Sequence, residues 1–233
     1  MTSQLRFWSF SVAMSVLALL QVGEGVAHVK VELYYESLCP YCAAFIVEQL
    51  VPLHNLFGGV DNKYFEVELI PFGKAKVMFN TEVEEGNFNL TCHHGAPECE
   101  GNKAHTCALQ KYSKKDAIDF VNCSMALSSW NDFTWPLPEP FISKDPTCIT
   151  NLGLNQLVMD ECVSSPKSNV MIARHGIRTL DLDPPLYYVP WIVIDGQWIS
   201  KQFRLAKKDL KSIVCNKLKQ GGVESGVCKV MML

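Results

Sequence analysis

The first apolar pattern of the chain has the two-residue period of a β-strand and runs from Val29 to Tyr35. The next stretch, Ala43–Phe57, repeats apolar residues at helical spacing and predicts a helix. We expect a kink at Pro52, because proline removes one helix hydrogen bond while the apolar pattern continues past it. Lys63–Pro71 is predicted as a second strand, which would complete a βαβ unit. The apolar side of the helix would consist of Ile46, Leu50, Leu53 and Phe57.

The pattern changes between Gly73 and about Pro185, where helix-like segments surround the proline-rich breaker Trp135–Pro140. Six cysteines fall in this stretch: Cys92, Cys99, Cys107, Cys123, Cys148 and Cys162. We therefore predict an α/β fold that carries a mostly helical, disulfide-rich insertion over about residues 73–185.

Strand signals return at Tyr187–Ile194, followed by the turn dipeptide Asp195-Gly196 and the expected start of another strand. A final amphipathic helix is predicted over Leu205–Leu218. Its buried side would consist of Leu210, Ile213, Val214 and Leu218.

The N-terminus has the form of a secretory leader. Arg6 precedes an uncharged run, Phe7–Leu20, which is shorter than the roughly 20 residues that span a membrane. We predict a signal peptide over residues 1–27, with cleavage after Gly25 as an alternative and an uncleaved anchor as the other. The mature domain would occupy residues 28–233, without stable membrane insertion.

Composition narrows the class of protein. A chain of 233 residues that is 48% hydrophobic can build one domain with a core, and a net charge of −3 without a basic run argues against nucleic-acid binding. Ten cysteines indicate an oxidising compartment. Two sequons, at Asn89 and Asn122, are candidate glycosylation sites.

A CxxC motif lies between the first strand and the first helix. We expect Cys39 at the helix N-cap, Pro40 at the first helical position and Cys42 one turn along. Unsatisfied amides and the helix dipole would favour the Cys39 thiolate, making it an exposed nucleophile with Cys42 as the buried resolving thiol. An inert disulfide or half of a zinc site are the alternatives for this motif.

The order of strand, CxxC and helix resembles the thioredoxin superfamily. Members of that superfamily have a cis-proline against the CxxC, and the residue before it offers backbone hydrogen bonds to substrate. The matching positions here are Pro190 and Val189, at the start of the apolar strand; a plain turn proline is the alternative. Trp191, beside this proline, could line the substrate groove.

A second segment, Cys92–Asn102 with Cys107 beyond it, closely resembles the signature CQHGxxECxxNxxxxC of the gamma-interferon-inducible lysosomal thiol reductase family. The sequence departs once, with His93 where glutamine is usual, and we expect little effect on the chemistry because the CxxC is untouched. The matching positions, which we interpret as structural, are Cys92, His94, Gly95, Glu98, Cys99, Asn102 and Cys107.

The resemblance implies a thioredoxin-like fold and reduction of protein disulfides at acidic pH, without a cofactor. Partners would be disulfide-containing proteins and an unknown thiol electron donor. The expected location is the secretory route, ending in a lysosome, a vacuole or the extracellular space. Family members also lose terminal prosegments, and the tail after about residue 215 is a candidate.

Several alternatives remain open from the sequence. The site residues could act in the opposite direction as an oxidase or isomerase, or the protein could be a non-catalytic, disulfide-stabilised binding glycoprotein. A zinc site is a further alternative, although we expect no metal; its ligands would come from Cys92, His93, His94, Cys99, Cys107 and His105. For the disulfides, closeness in sequence suggests Cys148–Cys162 and Cys215–Cys228.

Overall fold

The computed structural model describes residues 28–79, 88–127, 146–198 and 200–229. For residues 79, 88, 127, 146, 147 and 200–207 it describes the backbone alone. The predicted leader, residues 1–27, and the proline-rich segment Trp135–Pro140 lie outside this range. The described strands are β1 Val29–Tyr35, β2 Phe65–Pro71, β3 Lys76–Phe79, β4 Phe88–Thr91 and β5 Trp191–Ile194. The α-helices are α1 Pro40–Phe45, α2 Val51–Leu56, α3 Ala96–Lys111, α4 Lys114–Leu127, α5 Pro146–Asn151, α6 Gln156–Ser164, α7 Pro166–Leu180, α8 Ser200–Gln220 and α9 Gly226–Lys229.

In the described part of the chain, the central sheet has the order β2-β1-β5. β1 pairs parallel with β2 and antiparallel with β5. This confirms the predicted strand–helix–strand order, since alternating apolar residues place one face of β1 and β2 in the core. β5 begins only at Trp191, because Pro190 has no N–H to donate to a neighbouring strand. The further strand expected after Asp195-Gly196 is wrong: the chain makes a single bridge, from Ile194 to Gln197, before helix α8.

The helix after the CxxC runs without interruption from Pro40 to Leu56, but its hydrogen-bonding pattern changes on the way. A wider π-helical turn, Ile46–Leu50, joins α1 to α2, and the N–H of Val51 donates to the carbonyl of Ile46. Pro52 follows directly; its missing N–H and its ring both disfavour a regular turn at this place. The helix therefore continues past Pro52, as expected, and departs from regular α-helical hydrogen bonding one turn before it; the kink at Pro52 stays a prediction. All four predicted core positions, Ile46, Leu50, Leu53 and Phe57, are buried.

Helices α3 to α7 fill most of the region between β4 and β5, and a second hydrophobic cluster forms among α3, α4, α5 and α6. Two disulfides cross this cluster, Cys107–Cys162 and Cys123–Cys148. The suggested pair Cys148–Cys162 is thus wrong, because the two residues lie on successive helices that each face a different partner helix. The antiparallel hairpin of β3 and β4 was not predicted.

The last helix confirms its predicted buried side: Leu210, Ile213, Val214 and Leu218 all lie in the main core. It begins earlier than expected, at Ser200, and is interrupted at Asp209. The Asp209 carboxylate accepts the backbone N–H of Ser212 at 2.9 Å and so caps the second segment. The Cys215–Cys228 disulfide, as suggested, ties the tail to this helix.

Candidate active site

The end of β1 delivers the CxxC to the start of α1. Cys39 has extended backbone angles and is the N-cap of α1, and Pro40 occupies the first turn. The backbone N–H of Cys42 donates to Sγ of Cys39 at 3.3 Å. This local geometry is the one expected from the sequence, since proline needs no hydrogen bond at that position. All ten cysteines lie in described residues, and Cys39 and Cys42 are the two that remain thiols.

Cys39 differs from expectation in its exposure. Its side chain is 5% exposed and that of Cys42 is 0% exposed, so the expected exposed nucleophile is instead a buried one. Val189, from a distant segment of the chain, belongs to the same buried hydrophobic cluster as the two thiols. Tyr41, at 62%, is the exposed side chain of the motif.

The two thiols differ in acidity. A hydrogen bond from the Cys42 side chain lowers the pKa of Cys39 below its ordinary value, and backbone N–H groups of Cys42 and Tyr41 lower it further. Burial and the negative charge of Glu36 act in the opposite direction. Burial raises the pKa of Cys42 well above its ordinary value, and its hydrogen bond to Cys39 adds to this. A thiolate is therefore favoured at Cys39 and disfavoured at Cys42.

Pro190 lies at the same end of the sheet as the thiol pair. The Val189–Pro190 peptide bond is cis, and so is Asp183–Pro184. Because Trp191 stands opposite Tyr34 in the antiparallel pair, the residue before Trp191 lies level with the end of β1, which leads into the CxxC. The structure thus places Cys39, Cys42, Val189 and Pro190 at the same end of the central sheet.

Trp191 does not line a groove, contrary to the expectation from its position. Its side chain is 0% exposed, and its ring stacks on Trp198 with centroids 4.5 Å apart. Tyr187 is the exposed aromatic residue of this segment, and its ring contacts Trp191 edge-on at 5.2 Å.

The signature segment forms a short disulfide-closed loop before α3. Cys92 and Cys99 are bonded, with their Cα atoms 5.5 Å apart. Gly95, with φ of 82°, precedes the helix in a conformation that other residues rarely adopt. His94 donates from Nδ1 to the Glu98 carboxylate, four residues later. Cys107, further along α3, is bonded to Cys162.

The same helix holds the residues just before the CxxC. Asn102 Oδ1 accepts the backbone N–H of Ser37 at 2.9 Å, and the Ser37 hydroxyl donates to the carbonyl of Glu98 at 3.1 Å. Both Ser37 and Asn102 are fully buried. The signature residues therefore position the segment between β1 and the nucleophile, a contact that the sequence did not predict.

A buried carboxylate, Glu36, connects the two segments. It accepts the backbone N–H of Lys74 at 2.8 Å and a hydrogen bond from Nδ1 of His93 at 3.2 Å. His94 Nδ1 lies 3.5 Å from the same Oε2 atom. Because the Lys74 ammonium can only donate, its 3.2 Å contact with Nε2 of His93 puts the His93 proton on Nδ1. Burial, with the nearby Glu98 charge, raises the pKa of Glu36.

Sequence reasoning missed Glu36, Ser37 and Lys74. Glu36 did give a signal: it is an acidic residue at the end of a buried strand, three positions before the first cysteine. Its side chain is 0% exposed, which is rare for a carboxylate.

The zinc site considered from the sequence does not form with cysteine ligands, because Cys92, Cys99 and Cys107 are in disulfides. Glu36, His93 and His94 do place three potential ligand atoms within 4.8 Å of one another. The Nδ1 atom of each of these imidazoles already donates to a carboxylate. The absence of a metal thus stays a prediction.

His105 belongs to a separate buried network. Ser124 donates its hydroxyl to the carbonyl of Val121, so it accepts from Nε2 of His105 at 2.8 Å. Nδ1 of His105 then accepts from the Tyr35 hydroxyl at 3.0 Å. Burial lowers the pKa of His105 to about 3 and keeps the ring neutral.

The two sequons lie in different environments. Asn89 is exposed on β4. Asn122 is partly buried on α4, and its Oδ1 atom is buried without a hydrogen-bond partner among the described residues. The folded chain thus presents the first sequon more openly than the second. No helix in the described ranges combines the length and apolar character needed to cross a membrane.

The chain is similar in sequence to members of one protein family. Residues 30–137 match the family model described as gamma interferon inducible lysosomal thiol reductase. A gamma-interferon-inducible lysosomal thiol reductase-like protein of Anopheles gambiae is 32% identical over 212 residues, which cover 86% of this chain and 81% of that protein. A gamma-interferon-inducible lysosomal thiol reductase of Carassius auratus is 32% identical over 81% of this chain and 68% of its own.

Solved structures share the fold at low sequence identity. A putative protein-disulfide isomerase from Pseudomonas syringae aligns with a TM-score of 0.53 at 12% identity, over 83% of this chain and 95% of its own. The alpha-DsbA1 protein of Wolbachia pipientis aligns with a TM-score of 0.51 at 11% identity, over 84% and 88% of the two chains. These similarities confirm the thioredoxin-like α/β fold expected from the sequence.

Proposed function

The chain belongs to the gamma-interferon-inducible lysosomal thiol reductase family, and from that membership we propose that it reduces protein disulfides with Cys39 as the nucleophile and Cys42 as the resolving thiol. Thiol–disulfide oxidoreductase activity follows from the family itself. The observation that carries the assignment of residues is the pair of reduced cysteines at the N-terminus of α1, with the Cys42 N–H directed at Cys39 Sγ.

The reaction proceeds in two exchanges. The Cys39 thiolate attacks one sulfur of a substrate disulfide, forms a mixed disulfide and releases the other sulfur as a thiol after it takes a proton. Cys42 then loses its proton and attacks Cys39, which releases the second substrate thiol and leaves a Cys39–Cys42 disulfide. Two electrons have moved to the substrate, and an external thiol must restore the dithiol.

The difference between the pKa values of the two thiols suits their different roles in the mechanism. A lowered pKa at Cys39 increases the thiolate fraction in acid, where an ordinary thiol is almost wholly protonated. A raised pKa at Cys42 keeps the resolving thiol from competing for substrate until the mixed disulfide exists. This difference supports activity at acidic pH.

Val189 and Pro190 are proposed to position the substrate chain. Both are buried, and Pro190 has no N–H to pair within the sheet. We propose that backbone groups of Val189 bind an extended substrate segment beside the thiols. Tyr41 and Tyr187 are the exposed aromatic side chains of the two segments that form the site.

Location and modification complete the proposal. We propose entry into the secretory route after removal of residues 1–27, with a lysosome, a vacuole or the extracellular space as destination. The exposed position of Asn89 supports a glycan there. We expect the Asn89→Gln variant, expressed in a eukaryotic secretory host, to lack one glycan. The wild type should lose the mass of that glycan on endoglycosidase treatment, and the variant should not.

Alkylation as a function of pH tests the assignment. The reduced protein is treated with iodoacetamide from pH 3 to pH 9, and each cysteine is quantified by mass spectrometry. We expect Cys39 to react in acid and Cys42 to stay unmodified, and Cys39→Ser to abolish insulin reduction at pH 5. Equal labelling of the two thiols, or full activity of Cys39→Ser, would exclude the proposed roles.

The direction of electron flow has its own measurement. Potentials for this chemistry span roughly −270 to −120 mV, and a reductase belongs towards the negative end. Equilibration of the protein with glutathione buffers gives the value. A potential near −120 mV would instead indicate an oxidase.

A further inference from the structure

The dithiol motif itself contains no cation, since Pro40 and Tyr41 separate the two cysteines. Two carboxylates, Glu36 and Glu98, are fully buried beside it. The negative charge of Glu36 raises the pKa of both thiols. The site thus holds two buried carboxyl groups close to a cysteine that must itself become an anion.

Five titratable or charged groups face this position from the surrounding elements. Glu36 follows β1, Cys39 begins α1, Lys74 precedes β3, His93 precedes α3 and Glu98 lies within α3. Lys74 donates to Nε2 of His93, and His93 donates from Nδ1 to Glu36. With both carboxylates ionised, the Lys74 ammonium balances one of the two negative charges.

His94 stands between these groups. Its Nδ1 atom donates to Glu98 and lies 3.5 Å from Glu36 Oε2. The Cys92–Cys99 disulfide closes the loop that carries it, and the hydrogen bond to Glu98 orients the imidazole. The same helix holds the backbone of Ser37 two residues before Cys39.

From this arrangement we propose that His94 is a positioning residue of the redox site, whose imidazolium, held between the Glu98 and Glu36 carboxylates, stabilises the Cys39 thiolate. The inference rests on the proposed function, because it assumes that Cys39 acts as a thiolate. It gives the signature histidine an electrostatic task in addition to its structural one.

The electrostatic contacts support this assignment. The hydrogen bond to Glu98 raises the pKa of His94, and the charges of Glu98, Glu36 and Cys39 raise it further. An interaction between two titrating groups is reciprocal, so the protonated imidazole lowers the pKa of Cys39 in return. His94 is charged in acid, which is where the thiolate is hardest to keep.

The test compares the pH dependence of Cys39 alkylation in wild type and His94→Gln. Glutamine keeps a hydrogen-bond donor but carries no charge. We expect the midpoint of Cys39 labelling to rise by about one pH unit, which lowers the labelling rate at pH 5 about tenfold. The thermal midpoint at pH 7 confirms that the variant is folded.

Three further variants separate charge from structure. His94→Arg restores a cation and should recover at least half of the lost rate at pH 5. His93→Gln removes the neighbouring imidazole, which hydrogen-bonds to Glu36 and Lys74, and should change the rate less than threefold. His28→Gln, at an exposed and distant position, should match wild type.

Each contrary result has a definite meaning. A wild-type labelling profile in His94→Gln overturns the inference, as does a loss in His94→Arg equal to that in His94→Gln, which would indicate a purely structural role. A profile of the wild type that shifts on treatment with EDTA would assign His94 to a metal site and also overturn it. If wild-type Cys39 itself does not react in acid, that result contradicts the proposed function, on which the role of His94 rests.

Discussion

Gly73 lies directly against the side chain of Glu36: a Cβ atom at position 73 would stand 2.3 Å from Glu36 Cγ. The φ angle of Gly73 is 58°, in the left-handed region, so glycine is required both for conformation and for space. The close approach holds the buried carboxylate where Lys74 and His93 bind it.

Gly73→Ala should therefore destabilise the protein by about 2 to 3 kcal/mol, from backbone strain and from displacement of Glu36. Urea unfolding at pH 7 measures the change. Gly59→Ala is the matched control, because Gly59 has a similar φ of 68° with nothing within 4 Å of the added atom. It should cost only about 1 kcal/mol, and equal losses at the two positions would contradict the packing argument.

Cys42→Ser should trap the reaction at its first exchange. The variant keeps the Cys39 nucleophile but lacks the thiol that resolves the mixed disulfide, so turnover should fall by about two orders of magnitude or more. A covalent adduct with native insulin should appear on a non-reducing gel and disappear when dithiothreitol is added. The Cys39→Ser/Cys42→Ser double variant should form no adduct, and an adduct there would implicate another cysteine.

The ion pairs across the sheet should resist acid. Burial raises the pKa of Glu68, but hydrogen bonds from Arg178 and Lys30 outweigh it and lower the pKa to about 2. The stabilisation is therefore present above the unfolded-state pKa of 4.5 and is lost as the pH falls towards 2. Glu68→Gln should cost about 1 kcal/mol at pH 5 and at pH 7, after allowance for solvent screening, and almost nothing near pH 2.

Urea titrations at the three pH values measure this difference. Glu66→Gln is the control on the same strand, since Glu66 forms its ion pairs with His28 and Lys114 at an exposed position. Its effect should stay within about 0.5 kcal/mol. A Glu68 effect that is the same at pH 2 and pH 7 would show that lost packing, not charge, is responsible.

His105 should weaken the fold as the solution becomes acidic. Its pKa is about 3 in the folded protein against an ordinary 6.5, so protons bind the unfolded chain first and stability is lost as the pH falls below 6.5. The loss between pH 7 and pH 5 is about 2 kcal/mol from this residue. His105→Gln does not titrate, so its deficit relative to wild type should shrink by that amount at pH 5. An unchanged deficit would mean that His105 is protonated in the folded state.

The sequence predicted the elements whose burial depends on local periodicity. Alternation in Val29–Tyr35 and the helical spacing of Leu210 to Leu218 each encode one buried face, and both elements lie where expected. The N-cap position of Cys39 follows in the same way, from the proline beside it.

The remaining parts depend on contacts between distant segments. His93 is 57 residues from Glu36 in sequence, and Lys74 is 38 residues from it, so no local pattern reveals their hydrogen bonds. Val189, far along the chain, likewise joins the same buried cluster as Cys39. The predicted disulfide partner of Cys148 is wrong for the same reason. Helix packing, not closeness in sequence, determines that Cys148 bonds to Cys123.

The tail beyond Cys215 packs on the main core through Val223 and Val227 and returns to α8 through Cys228. A protease that cuts the chain between Cys215 and Cys228 would therefore leave both pieces joined. The cut protein would migrate as one species on a non-reducing gel and as two after reduction. Release of this end of the molecule would thus need two reactions. A single hydrolysed peptide bond between Cys215 and Cys228 releases nothing, and a thiol must then reduce the disulfide.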